Sequence, residues 1–164
     1  MSKRLIAVLF GVLAIAVIAA GCGSSSSSSE PSTSSLTKAE FIKQGDAICA
    51  KAEKENEAEF EEFAKENGLS ENKEPSKAVQ EELATSILLP SVSGQLEDIR
   101  ALGAPSGEEE QVDEIIETVE GEVEEAEEEP TVLFEAEEEG KSPFAAGNKM
   151  AREYGFTVCG QEGE

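Results

Sequence analysis

The stretch that decides the fold spans residues 106–130 and reads SGEEEQVDEIIETVEGEVEEAEEEP. Its apolar side chains recur at spacings of three and four residues, and nearly all positions between them are acidic. These apolar side chains are Val112, Ile115, Ile116, Val119, Val123 and Ala126. Ser106 and Glu109 have the spacing of a capping box, and Pro130 predicts an end or a bend. The stretch therefore predicts an amphipathic helix that turns one face to a core.

A longer helix is predicted upstream, over residues 38–67. Thr37 and Glu40 form a capping box before it, and Gly68 is a typical stop after it. The apolar or small positions that mostly repeat at helical spacing are Phe41, Gly45, Ile48, Cys49, Ala52, Phe60 and Phe63. We expect these positions to face the rest of the domain.

A second helix is predicted to begin near residues 75–76 and to end before residues 103–105, which read Gly-Ala-Pro. Its apolar side is formed by Val79, Leu83, Ile87, Val92, Leu96, Ile99 and Leu102. Pro90 interrupts this pattern, because its ring removes the backbone hydrogen bond to Ser86. The sequence therefore predicts a kink or a break at residues 88–92.

Downstream of the acidic stretch, residues 132–134 form a short apolar run whose secondary structure the pattern leaves open. Ser142 and Pro143 are a typical cap and first turn, and predict a short helix that ends at Gly155. Phe156 follows this glycine, where a residue commonly packs back on its own helix.

Taken together, these segments predict an all-α fold, a small antiparallel bundle of about four helices. A short extension that carries Cys159 follows the last helix.

The first 21 residues differ in composition from the rest of the chain. Lys3 and Arg4 are basic, residues 5–20 are apolar apart from one glycine, and the end of the segment is small. This layout is that of an export signal. The apolar run is shorter than the roughly 20 residues that a permanent transmembrane helix needs, which favours cleavage.

The tetrad Ala19-Ala20-Gly21-Cys22 resembles the lipobox of bacterial lipoproteins, a group of small hydrophobic residues that ends in cysteine. The family usually has leucine where this chain has Ala19. The resemblance implies a signal peptide at residues 1–21, cleavage before Cys22, and a diacylglyceryl group on Cys22 that anchors the chain to the outer, extracytoplasmic face of the cytoplasmic membrane. An uncleaved N-terminal anchor and ordinary secretion are the alternatives.

The lipidated cysteine would be followed by a tether, because residues 22–35 are rich in serine and contain nothing to bury after Cys22. A flexible segment of this length reaches about 20 Å. The acidic helical domain is then predicted to cover residues 36–164.

The chain has three cysteines. Lipidation of Cys22 would leave Cys49 and Cys159, which we expect to form a disulfide in an oxidising compartment. The alternatives are two small buried side chains that never meet, and a metal site, for which the chain lacks histidine and a CxxC motif.

The segment Tyr154-Gly155-Phe156, with Cys159 and Gly160, resembles the C-terminal ends of small helical lipoproteins from high-GC Gram-positive bacteria. These proteins also carry a matching cysteine in their first helix. The resemblance implies a bundle with one disulfide and no established activity.

The common catalytic motifs do not match this chain. With no histidine in the chain there is no ordinary serine triad, and neither Ser93 nor Ser142 lies in a GxSxG motif. Residues 140–142 look like the end of a phosphate-binding loop, but Glu135 stands where its first glycine is required. The sequence predicts no catalytic residue, no cofactor and no metal site.

The acidic face of the third predicted helix has three interpretations: a solvated surface, a weak divalent-cation site, or a docking surface for a basic partner. Its members are Glu110, Glu114, Glu117, Glu124 and Glu128. Calcium usually needs a loop of converging oxygens, and no such loop is present. Arg100 and Arg152 could each bind a ligand carboxylate, although pairing with nearby glutamates is the more common role.

The formal net charge of −23 predicts that nucleic acid is not a partner, and an anionic membrane surface would repel the domain. Contact with the membrane is thus expected through the lipid on Cys22. These features predict a lipid-anchored, non-enzymatic interaction or structural module of the cell envelope, whose partner is an envelope protein. The alternative is a lipoprotein that binds a small solute or a divalent cation.

Overall fold

The computed structural model describes residues 35–70, 75–138 and 141–161, with the side chains of 137 and 138 left aside. The predicted signal peptide, Cys22 and the tether up to residue 34 lie outside them. Within the described ranges all regular secondary structure is helical, and no helix combines the length and the apolar character needed to cross a bilayer. Ser34–Glu164 forms one compact unit with its own hydrophobic core, at a size typical of domains that fold alone.

Helix α1 covers Lys38–Asn67, as predicted. Thr37 accepts a hydrogen bond from the backbone of Glu40, whose carboxylate accepts one from the backbone N–H of Thr37 at 3.0 Å, so the capping box is confirmed. Gly68 closes the helix in the left-handed conformation, with φ 61°. One predicted core position is wrong. Phe60 is 46% exposed, because the elements packed against this end of α1 cover Phe63 instead.

The second predicted helix is divided by a wider turn. Helix α2 covers Lys77–Leu83, a π-turn covers Ala84–Leu88, and helix α3 covers Leu89–Ala101. In the π-turn the N–H of Leu89 donates to the carbonyl of Ala84, five residues back. The irregularity predicted at residues 88–92 therefore lies before the proline.

The physical reason is that a proline ring clashes with the carbonyl four residues earlier, here that of Ser86, so the strain falls in the preceding turn. The wider turn relieves it, and Pro90 is accommodated in the first turn of α3. Side-chain hydroxyls then satisfy backbone carbonyls before the π-turn. Thr85 Oγ1 donates to the carbonyl of Glu81 at 2.7 Å, and Ser86 Oγ donates to that of Glu82.

Helix α4 covers Glu109–Glu128 and buries the predicted stripe. Its buried side chains are Val112, Ile115, Ile116, Val123 and Ala126. The capping box predicted from Ser106 is wrong. A turn through Gly107, whose φ is 86°, precedes the helix, and Glu109 accepts a hydrogen bond from the N–H of Gly107 at 2.7 Å. The N-cap position is therefore Glu108, whose side chain makes no capping bond.

Helix α5, Val132–Glu138, shows that the ambiguous apolar run is helical. Helix α6 covers Ala145–Tyr154 and starts later than the predicted cap. Ser142 instead accepts hydrogen bonds within the preceding turn, from the N–H of Phe144 at 3.2 Å and from the side chain of Asn148 at 2.9 Å. The N–H groups in the first turn of α6 donate instead to a glutamate side chain of α4.

The four longest segments pack as a bundle, in which the closest pairs are α1 with α3, α3 with α4, and α4 with α6. The all-α prediction is confirmed. At one end of the core, the rings of Phe41, Tyr154 and Phe156 lie together, with centroids 5.5 to 6.1 Å apart. Phe156 is only 6% exposed, so its predicted packing after Gly155 is also confirmed.

Candidate functional site

The C-terminal extension is joined to α1 by a disulfide between Cys49 and Cys159, with Cα atoms 5.4 Å apart across a separation of 110 residues. The predicted pairing is confirmed, and the alternatives of unpaired thiols or metal ligands are removed for these two cysteines. Cys22, the predicted lipidation site, lies outside the described residues.

A second connection, which the sequence pattern did not indicate, lies one turn before Cys49 on the same helix. The carboxylate of Asp46 accepts hydrogen bonds from the backbone N–H groups of Thr157, Val158 and Cys159, at 2.8 to 3.1 Å, and from the Thr157 hydroxyl at 2.6 Å. Three successive N–H groups thus converge on one carboxylate, as in backbone nests that bind anions. The spacing of Asp46 from Cys49 could have suggested the contact only once the disulfide was assumed.

The electrostatics of this contact favour the charged form of Asp46. Partial burial acts to raise the pKa of the carboxyl, but the hydrogen bonds from Thr157, Val158 and Cys159 together outweigh it and hold the pKa below its ordinary value. Asp46 is therefore ionised at neutral pH and fixes the extension to α1. The nest serves an internal carboxylate and is a structural feature.

Beside the disulfide lies a cavity of about 130 Å³ between α1, α3, α4 and α6. Both cysteines reach its wall, which is otherwise built mainly by buried apolar side chains of the bundle. Leu96, Ile99 and Ile115 are among these apolar side chains. No lining residue carries a charge, although acidic side chains dominate the rest of the domain.

The polar side chains at this cavity are the amides of Gln95 and Asn148, both half-buried. The Gln95 amide nitrogen donates to the carbonyl and the hydroxyl of Ser91, at 3.2 and 3.3 Å. The Asn148 amide nitrogen donates to Ser142, as described above. Each amide is therefore anchored by its nitrogen to a neighbouring turn of the chain, and the cavity offers no acid, base or nucleophile for chemistry.

The one tyrosine of the chain, Tyr154, is a second candidate for chemistry. Lys38 Nζ lies 3.9 Å from the centroid of its ring and 2.9 Å from a carboxylate oxygen of Glu108. Burial, followed by the nearby Glu108 carboxylate, raises the pKa of Tyr154 well above its ordinary range. The hydroxyl therefore resists deprotonation even in alkaline solution, and the ring packs against Phe41 and Phe156.

The acidic face predicted on α4 is exposed along its whole length. Among the residues that the structure describes, no three or more Asp, Glu or Cys side chains converge where a metal ion could be held. Arg100 forms a two-pronged ion pair with Glu120, at 2.7 and 3.0 Å, in agreement with the predicted structural role. Arg152 donates to the carbonyl of Gly160, next to the disulfide.

No family model, no curated protein and no solved structure matches the chain.

Proposed function

We propose that the chain is a lipoprotein of the bacterial cell envelope, anchored by lipid on Cys22, whose helical domain is a non-enzymatic interaction or structural module on the outer face of the cytoplasmic membrane. The observation that carries the proposal is the Cys49–Cys159 disulfide. Structural disulfides are typical of exported proteins and rare in the bacterial cytosol. Since the chain has three cysteines, this pair leaves only Cys22 for lipid.

The character of the surface supports an interaction role over catalysis. Exposed glutamates line α4, and the chain carries 36 acidic against 13 basic residues. A domain of this charge attracts basic surfaces and is repelled by anionic headgroups, which suits a module held away from the bilayer by a tether. The chain also has no histidine, the side chain that enzymes use most often for proton transfer.

Metabolic labelling with an alkyne analogue of palmitate tests the anchor. We expect the full-length chain, expressed in a bacterial host, to take up label and to sediment with membranes. The Cys22→Ser chain should lose the label and be retained less by membranes. Cys49→Ser serves as the matched control, since it removes a cysteine elsewhere and should keep the label. Label that persists in Cys22→Ser would overturn the proposal.

Site-specific photo-crosslinking in the intact envelope tests the interaction role. A photoreactive residue in place of Glu117, on the exposed face of α4, should give a discrete adduct with a basic envelope protein. The same residue in place of Glu59, on the exposed part of α1, should not. Equal adducts at both positions, or a turnover activity in the purified protein, would contradict an interaction module that works through α4.

The second candidate function is that of a solute-binding lipoprotein, which the apolar cavity favours. This candidate keeps the lipid anchor on Cys22, but its domain binds a small molecule or a cation instead of a protein partner. Its cation-binding form is tested by calorimetry with calcium, magnesium and iron(II), in which a saturable, stoichiometric heat would support it and a salt-like response would count against it.

A further inference from the structure

We infer that the cavity beside the disulfide is a binding site for one small, neutral, predominantly apolar molecule of about six to eight non-hydrogen atoms. This ligand class belongs to the second candidate function, solute binding, and rests on it. It does not depend on the lipid anchor.

The size of the cavity sets the size of the ligand. A volume of about 130 Å³ is much larger than the gaps that normal core packing leaves between side chains. It is close to the roughly 150 Å³ of an engineered apolar cavity in another protein that binds benzene. A molecule with a single ring fits this space, and a fused double ring does not.

The lining sets the chemical class. A charged ligand would lose its hydration without finding an opposite charge, because none of the lining side chains is ionisable at neutral pH. Gln95 and Asn148 are the polar side chains at the wall, and each amide nitrogen already donates to a serine. The ligand is therefore neutral, and its binding is carried by contact with side chains such as Ile99 and Ile115.

The walls are held in place by contacts that keep the cavity open. The disulfide fixes the extension covalently to α1, and Asp46 fixes it a second time. On the other side, α4 and α6 already touch at Gly147, where a methyl group added to the glycine would lie 2.2 Å from Val119 Cγ2. Because these helices cannot move closer there, the space beside them is not removed by a small shift of α6.

The side of the cavity between α3 and α6 provides the route of entry. The half-buried lining residues of this side are Val92 and Gln95 on α3, Phe144 and Asn148 at the start of α6, and Cys159 and Gly160 of the extension, whereas the lining residues of α1 are buried. Both helices pack closely on α4. A ligand therefore enters by displacing side chains at this rim, without unfolding a helix.

The test uses benzene as the probe and the compact unit Ser34–Glu164 as the protein, followed by NMR of isoleucine, leucine and valine methyl groups. We expect saturable shifts centred on Ile99 and Ile115, and a rise in melting temperature of roughly 3–8 °C at about ten times Kd. Benzoate, the charged analogue, should give neither effect. Shifts spread evenly over the surface, or none at saturation, would overturn the inference.

Two matched pairs of variants locate the site. Val92→Phe places a larger side chain at the rim and should weaken benzene binding by at least about tenfold, whereas Val79→Phe, the same change at a half-buried valine outside the cavity, should leave Kd unchanged. Leu96→Ala enlarges the cavity and should allow naphthalene to bind, whereas Leu83→Ala, at an equally buried leucine outside it, should not.

If Val92→Phe fails to fold, the gain of naphthalene binding in Leu96→Ala decides the question alone, and its absence counts against the site. The outcomes also separate the two proposals. Benzene binding without palmitate label on Cys22 would contradict the lipid anchor and support the cavity as a binding site. Palmitate label without benzene binding would support the anchor and contradict the binding site.

Discussion

The carboxylate of Asp46 accepts hydrogen bonds from four donor groups of the C-terminal extension. We expect Asp46→Asn to lower the free energy of unfolding by about 1–2 kcal/mol, since an amide replaces a charged acceptor that is only partly buried. Urea denaturation measures the change. Asp98→Asn, at an exposed position of α3, is the control and should stay within about 0.5 kcal/mol of the native chain.

The same residue predicts a pH dependence. Its folded-state pKa lies below the ordinary value of 3.8, so its contribution to stability is present above pH 3.8 and is lost as the pH falls through the folded pKa. The difference in unfolding free energy between the native chain and Asp46→Asn should therefore be constant between about pH 7 and pH 5 and shrink below about pH 4. A difference that stays constant down to about pH 2.5 would show that Asp46 is not held in its charged form.

Replacing either of two helical glycines by alanine is expected to change the stability of the domain in opposite directions. A methyl group on Gly45 would lie 2.5 Å from the ring of Phe156, whereas one on Gly94 would meet nothing within 4 Å. Gly45→Ala should therefore cost about 1–3 kcal/mol of stability, and Gly94→Ala should add about 0.5–1 kcal/mol. Thermal denaturation of the two variants checks the signs. Stabilisation by Gly45→Ala would mean that Phe156 yields easily.

At the level of single residues, the cysteine pair could be predicted because three cysteines and a predicted export signal left few choices. The contact of Asp46 could not, because it joins a side chain to backbone N–H groups 111 to 113 residues away. Every residue except proline has a backbone N–H group, so the residue pattern does not indicate which of these groups will bind a side chain. Phe60 was misplaced for a related reason, since helical spacing does not reveal where the neighbouring helices stop.

Among the elements, α6 depends on its neighbour α4 for its N-terminal cap. Glu122 accepts hydrogen bonds from the N–H groups of Ala146 and Gly147, at 2.9 and 3.1 Å, in the first turn of α6. Glu122→Ala should cost about 1 kcal/mol, because it removes both bonds and a negative charge next to the helix N-terminus. Glu124→Ala, an exposed position two residues on, removes the same charge and is the control for denaturation.

If both alanine variants lose equal stability, the cap is not what holds α6. If only Glu122→Ala loses stability, hydrogen exchange should be faster at the amides of Ala146 and Gly147, whose bonds it removes.

The helices could be predicted to within a few residues, but the groups that cap their ends could be predicted only in part. Thr37 caps α1 as predicted because its whole signal is local. Ser106 and Ser142 match a cap in sequence but lie in turns, since Gly107 and Pro143 delay the helices that follow. The cap of α6 comes from another helix, and no local pattern could identify it.

For the molecule as a whole, the disulfide encloses most of the domain. In the chain-entropy treatment a loop of this length contributes about 4–5 kcal/mol. Reduction of the native domain should lower its unfolding free energy by about this amount, as measured by urea denaturation with and without reductant. The Cys49→Ser, Cys159→Ser double variant should match the reduced chain and be insensitive to reductant. A native chain that is equally stable in both conditions would contradict the prediction.

The charge of the whole molecule makes a prediction about salt. With 36 acidic and 13 basic residues, like charges repel over distances that salt screens. The melting temperature should therefore rise between about 10 mM and 200 mM sodium chloride. Calorimetry would show whether it does, and a flat or falling value would mean that the ion pairs outweigh the repulsion.

The cavity is a property of the whole molecule, which is why no sequence pattern indicated it. Each lining side chain is an ordinary core residue, and Leu96 or Ile115 would be predicted to face inward in a tightly packed bundle as well. The space results from how four helices and the extension meet. Its volume follows from distances between elements that periodicity does not contain.

The disulfide also decides how the domain carries a mechanical load. Pulled between its two ends, the chain transmits force along α1 as far as Cys49, across the sulfur–sulfur bond, and out through Cys159. Residues 50–158, with most of the bundle and of the cavity wall, lie outside this path. A pull on the chain before α1, against something attached after Cys159, would therefore unravel α1 only as far as Cys49, and the helices between the two cysteines would remain folded under tension.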